Sequence, residues 1–114
     1  MKKRKEYFLA CDLKNDVKLI EKYKEFHLKE NAWPEVSKSI KASGIIDMKI
    51  FISGNRLVMK IEVDENFSFE KKARMDANNE MVVKWEKLMS QFQQPLPWAK
   101  EDEKWVLMEP VFRL

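Results

Sequence analysis

The chain predicts an α+β domain: an antiparallel four-stranded sheet with its helices on one face. Three observations carry that prediction. Apolar residues alternate with period two near both ends and in the middle of the chain, and they recur with helical spacing in the stretches between. The resulting order of strand, helix, strand, strand, helix, strand is the ferredoxin-like βαββαβ pattern. With 114 residues the chain builds one core and not two, so residues 1–114 are read as a single domain.

The first strand covers residues 6–13, where Tyr7, Leu9, Cys11 and Leu13 share one face and Phe8 and Ala10 the other. Asn15 or Asp16 then supplies an N-cap oxygen for a helix carrying Leu19, Ile20, Tyr23, Phe26 and His27. Asn31 and Ala32 break it. Pro34 suits a first helical position, and Glu35 is favourable to the helix dipole, so a second helical piece presents Val36 and Ile40 and stops at Gly44. Ile46, Met48, Ile50 and Ile52 form the apolar face of a second strand. Gly54-Asn55 is a two-residue hairpin signal, because both residues tolerate positive φ. Leu57, Met59, Ile61 and Val63 return antiparallel, with Val58, Lys60 and Glu62 on a mostly polar opposite face. Ser68 caps a helix through Phe69 and Ala73, Asn78-Asn79 interrupts it, and Met81, Val82, Trp85, Leu88, Met89 and Phe92 resume the spacing. The stretch Gln93-Gln94-Pro95-Leu96-Pro97-Trp98 is a loop, since prolines two apart forbid regular helix. A last strand starts at about Trp105, with Pro110 implying an edge or a bulge.

Composition narrows the function. A hydrophobic share of 45% with 36% charged residues belongs to a packed domain and not to a disordered chain. The net charge of +3 is too small to argue for a polyanionic partner. Lys2-Lys3-Arg4-Lys5 is the one basic cluster, read as a solvated arm ahead of the first strand. No segment approaches the ~18 apolar residues of a membrane helix, and no hydrophobic region of signal-peptide type follows the charged start, so a cytoplasmic protein is expected. The single cysteine, Cys11, excludes an internal disulfide and any multi-cysteine metal site, and its apolar run suggests a buried, inert thiol. Neither metal nor cofactor is expected: one histidine and scattered carboxylates leave too few ligands. Single-stranded nucleic acid on the sheet is not expected either, because the third strand offers no aromatic for bases to stack on.

Chemistry has to be argued around His27, the only histidine. Ile20, Tyr23 and His27 follow the i, i+3, i+7 spacing, which puts the phenol and the imidazole one turn apart on the core-facing stripe. Two readings of that placement stand together. His27 ends an amphipathic helix with one ring nitrogen bonded to a backbone carbonyl, or the helix delivers both rings into a pocket, where an imidazole with a pKa of about 6.5 is well matched to proton transfer near neutrality.

Tyr23-x-x-x-His27 followed by Trp33-Pro34-Glu35 resembles the L-rhamnose mutarotase family. Gly54-Asn55-Arg56-Leu57, Lys84-Trp85-Glu86-Lys87-Leu88-Met89 and the ending Met108-Glu109-Pro110-Val111-Phe112-Arg113-Leu114 extend the resemblance from about Tyr7 to the last residue. Each motif is short; their order and separation carry the likeness. The resemblance implies a dimeric α+β barrel, a homodimer that interconverts the α and β anomers of a 6-deoxy-L-hexose such as L-rhamnose or L-fucose. It implies His27 as proton donor, Tyr23 as a sugar contact and Trp85 as a pocket wall. Packing between Val82 and Met89 is the plain alternative for Trp85. A haem-binding or other small-ligand barrel with His27 as axial ligand is the competing function.

Three departures bear on the sugar. Five residues separate His27 from Trp33, a longer loop than the family pattern; Met48 stands where the family carries a tyrosine; and Trp85-Glu86 stands where it carries paired tryptophans. These predict a substrate preference different from that of a strict rhamnose enzyme.

Overall fold

The computed structural model describes residues 4–114. Strands β1 (Lys5–Leu13), β2 (Ile45–Ser53) and β3 (Arg56–Val63) make the body of an antiparallel sheet ordered β2-β3-β1. The expected helical stretches resolve into α1 (Val17–Phe26), α2 (Pro34–Ala42), α3 (Phe69–Ala77) and α4 (Glu80–Ser90), with a single 3-10 turn at Lys29–Asn31. Asp16, not Asn15, caps α1, its carboxylate accepting from the Leu19 amide at 3.1 Å. Ser68 and Asn79 cap α3 and α4 in the same way.

Helices α1, α2 and α4 lie against the sheet face formed by Leu9, Cys11 and Leu13 of β1 and by Leu57, Ile61 and Val63 of β3, each at most 9% exposed, and α3 packs on α4 with Phe69 against Tyr7. The core divides into two clusters. One gathers Leu13, Tyr23, Leu57, Met89 and Phe92; the other gathers Leu9, Ile45, Ile61 and Val63, and Trp105 packs against both. Cys11 is fully buried, as its apolar run suggested, and burial pushes its thiol up to about 11, so it stays protonated.

Two expectations about the strands need correction. Ile46 is not on the inner face of β2: the ladder pairs Ile45 with Val63 and Asp47 with Glu62, so Ile46 is the extra residue of a bulge and is 44% exposed. The bulge brings Ile45 inward, and the alternation resumes at Met48. The closing strand, expected from about Trp105, is instead two dipeptides on the same edge of β1. In β4 (Gln93–Gln94), Gln93 pairs with Leu13; in β5 (Val106–Leu107), Leu107 pairs with Leu9. Pro95 and Pro97 cannot donate to a ladder, so the chain leaves the edge after Gln94 and rejoins it at Val106.

The hairpin turn also differs in detail. Of its two central residues only Gly54 has positive φ, at 60°, which is the two-residue type that wants glycine first. Asn55 contributes its side chain, donating from Nδ2 to the Leu13 carbonyl at 2.9 Å while its own carbonyl accepts from Leu13 N at 2.7 Å. Of the basic start, Lys2 and Lys3 lie outside the described residues; Arg4 pairs with Glu62 at 3.3 Å and Lys5 opens β1. Among the described residues no helix is long and apolar enough to cross a membrane.

Candidate active site

Between the two core clusters the sheet and the helices leave a cavity of about 410 Å³. Its floor is the inner sheet face, including Met48, Ile50, Met59 and Ile61; its walls come from the helices, from Trp33 and from Trp105. Most of this lining is apolar. His27, Tyr23, Glu86 and Gln93 are polar exceptions, and a second polar pair, Lys72 and Asp76 on α3, is joined by a salt bridge.

Helix α1 sets the central geometry. Tyr23 is 4% exposed in the core, and His27, one turn later, is the C-cap residue, where the backbone leaves the helix at φ −98° and ψ 5°. Its Nδ1 lies 2.7 Å from the Tyr23 carbonyl oxygen. A carbonyl only accepts, so Nδ1 carries the hydrogen, and in the neutral ring the lone pair belongs to Nε2. The imidazole lies over the phenol with centroids 4.2 Å apart, and Trp85 meets it edge-on at 5.5 Å. Trp33 closes on Trp85 at 5.1 Å. His27 thus bonds to a backbone carbonyl and also lines the cavity.

Burial shifts both titratable rings. Burial beside the Tyr23 and Trp85 rings disfavours the imidazolium and lowers the His27 pKa from its ordinary value, a shift that the bond to the Tyr23 carbonyl opposes. Burial drives the Tyr23 phenol well above its usual range, opposed by the Gln93 amide that faces it. Tyr23 thus stays protonated and offers hydrogen bonds, not protons. Glu86 sits on the turn beside Trp85, and its carboxylate accepts from Lys104 Nζ at 3.2 Å; the same Nζ donates to Ser90 Oγ at 2.7 Å. Glu86 is therefore oriented from outside the cavity that it lines.

The structure brings His27, Tyr23 and Trp85 together, the three residues the sequence singled out, and adds three that it did not. Trp33 was legible only as part of a short motif. Trp105 looked like the start of a strand, and Gln93 like loop. Nothing local marks either of the last two, since both reach the cavity through pairing with β1 or packing across it. Among the described residues no group of three or more His, Cys, Asp or Glu side chains is placed to hold a metal ion.

Comparison with known proteins bears on this site as a whole. The family model described as L-rhamnose mutarotase matches residues 6–114. An L-fucose mutarotase of Xanthomonas campestris pv. campestris is 40% identical over 105 residues, 92% of this chain and 84% of that protein. A protein of Dictyostelium discoideum is 37% identical over 116 residues, covering 96% of this chain and 90% of its own length. The crystal structure of an L-rhamnose mutarotase from Formosa agariphila superposes with a TM-score of 0.69 at 26% identity, over 96% of this chain and 98% of that one.

Proposed function

Because this chain belongs to the L-rhamnose mutarotase family and interconverts the anomers of a 6-deoxy-L-hexose, we propose that His27 carries the proton and that Nε2 is the working atom. The observation that supports this is the Nδ1 bond to the Tyr23 carbonyl, which leaves Nε2 as the basic nitrogen of a ring lining the cavity. Mutarotation breaks the bond between C1 and the ring oxygen, lets C1 turn, and remakes the bond on the other face. Opening removes a proton from the anomeric hydroxyl and gives one to the ring oxygen; closing reverses both. A ring with a lowered pKa rests neutral near neutrality, so Nε2 takes the anomeric proton on opening and is the donor on closing. Water at the exposed side of His27 and Glu86 serves the ring oxygen. Neither redox change nor covalent intermediate is called for.

Tyr23 binds the sugar through its protonated hydroxyl, and Trp85 with Trp33 faces its apolar patches. Indole faces suit the methyl group and C–H surfaces of a 6-deoxy sugar. L-Fucose is a substrate on a par with L-rhamnose or better, a reading supported by the carboxylate of Glu86 at the cavity and by the name of the Xanthomonas relative. The enzyme works in the cytoplasm, where its one buried thiol needs no partner.

The assembly proposed is a homodimer closing an α+β barrel. Phe8 and Phe51 are 41% and 54% exposed on the outer sheet face, and the last residues Val111, Phe112 and Leu114 are nearly bare. A second copy is the cover such a face calls for. The test of the catalytic reading is exchange NMR on L-fucose and L-rhamnose. Anomer exchange above the uncatalysed rate, lost in a folded His27→Ala protein, is the expected result; exchange at the wild-type rate in that variant removes His27 from the mechanism.

A further inference from the structure

Gln93 occupies a position where an apolar residue costs nothing and an amide is hard to satisfy. Its backbone is fixed by the β4 pairing with Leu13, and because directly paired residues share a face, its side chain lies on the inner side of the sheet with Leu13. There it is 8% exposed and lines the cavity. Gln94, next in the strand, is exposed as alternation requires, while Phe92 ahead of it is buried in the core. Yet Gln93 Oε1 has no hydrogen-bond partner, the one buried side-chain oxygen or nitrogen in that condition among the described residues.

Buried polar atoms in folded proteins are paired almost without exception, so an unpaired one calls for a reason. Packing does not supply it, since methionine or leucine fills the same space without an orphaned acceptor. Tyr23 takes the other end of the amide: Gln93 hydrogen-bonds to the phenol as a donor, which opposes the rise of the Tyr23 pKa, and Oε1 is left without a partner. Oε1 has next to no accessible surface as it stands, so this free acceptor reaches the cavity that Gln93 lines only when the amide turns. A sugar hydroxyl both donates and accepts, and the terminal torsion of glutamine is broad, so the amide turns to meet a bound hydroxyl without moving the backbone.

We propose that Gln93 is a specificity-determining residue of this mutarotase, its side-chain oxygen accepting a hydrogen bond from one ring hydroxyl of the bound 6-deoxy-L-hexose. The inference rests on the mutarotase reading of the same cavity and deepens it. Gln93 then discriminates by configuration: a hydroxyl that reaches Oε1 is retained, and an epimer that turns it away leaves the acceptor buried and empty. L-Fucose and L-rhamnose differ in configuration at C2 and C4, so an amide that reads either position separates them. A site built to bond a hydroxyl rejects a sugar lacking it more strongly than an apolar wall rejects a change of shape.

The experiment crosses Gln93→Met with deoxygenated substrates. Anomer exchange is measured by NMR for wild type and variant on L-fucose and on its 2-, 3- and 4-deoxy forms, each relative to the uncatalysed rate. In wild type one deoxy sugar should lose about tenfold or more against L-fucose, the effect of one hydrogen bond to a buried acceptor. In Gln93→Met that difference should vanish, L-fucose falling to the level of the deoxy sugar while the melting temperature holds. An even loss on all four sugars with a lowered melting temperature makes Gln93 a structural residue and overturns the proposal; so does an unchanged selectivity profile. Should wild type exchange none of these sugars, the mutarotase reading fails. Gln93 is then judged by saturation-transfer NMR with L-fucose, where a signal kept in Gln93→Met counts against it and a lost signal supports it.

Discussion

In the proposed mechanism the bond of His27 to the Tyr23 carbonyl leaves Nε2 as the working nitrogen, and burial sets the charge in which the ring rests. The sign of the pH dependence follows. The pKa is lowered from 6.5, so the ring is neutral at neutral pH and becomes charged only as the pH falls through that lowered value. Catalysed exchange should therefore be level near neutrality and be lost on acidification, with the inflection below pH 6.5. A rate that rises on acidification through the same range makes imidazolium the form that starts the reaction. His27→Ala should cost on the order of 10²-fold or more in exchange rate, the usual worth of a placed acid or base. Tyr23→Phe should cost less and raise KM more than it lowers kcat, because a phenol held protonated contributes binding. Exchange NMR across pH, with circular dichroism to check the fold, reads all three.

At the scale of elements, the two glycines separate strain from crowding. Gly44 ends α2 at φ +102°, and a Cβ there would stand 2.7 Å from Asp64 Oδ1 and 3.1 Å from the Phe67 amide nitrogen. Gly54 in the hairpin has φ +60° and open space around it. Gly54→Ala should cost only the backbone term, about 1 kcal/mol, whereas Gly44→Ala adds a collision and should cost roughly 2–3 kcal/mol. Thermal melts of the two variants check the order; a Gly54→Ala protein less stable than Gly44→Ala contradicts it. Most elements were readable in the chain, since caps such as Asp16, Ser68 and Asn79 act within a few residues of the oxygen that marks them. The bulge at Ile46 and the divided edge of β4 and β5 were not. Both depend on which strand the chain pairs with, and no local pattern carries the register of a partner.

For the whole molecule, the exposed outer face makes the assembly testable. Sedimentation should give about twice the 13.7 kDa chain mass, and Phe51→Lys, which sets a charge on the outer face, should shift the species toward one chain. A 13.7 kDa species alone at micromolar concentration is the result that removes the dimer. Substrate range belongs to this scale as well, because the cavity is assembled from both ends of the chain. Exchange with L-rhamnose more than about a hundredfold above that with L-fucose, equivalent to ~2.7 kcal/mol, contradicts the preference read from Met48 and Glu86.

The order of the elements, the pairing of Tyr23 with His27 one helical turn apart and the burial of Cys11 were determined by the sequence itself, because alternation, helical period and capping are local physics. Only the tertiary structure decided that Trp33 and Trp105 wall the same cavity as Trp85, that Lys104 holds Glu86, and that Gln93, with an unpaired buried oxygen, lines that cavity too. Lys104 and Glu86 lie 18 residues apart, and Gln93 meets Tyr23 only because β4 pairs with the end of β1. Such contacts have no period in the chain; they exist once the sheet has closed and the helices have packed on it.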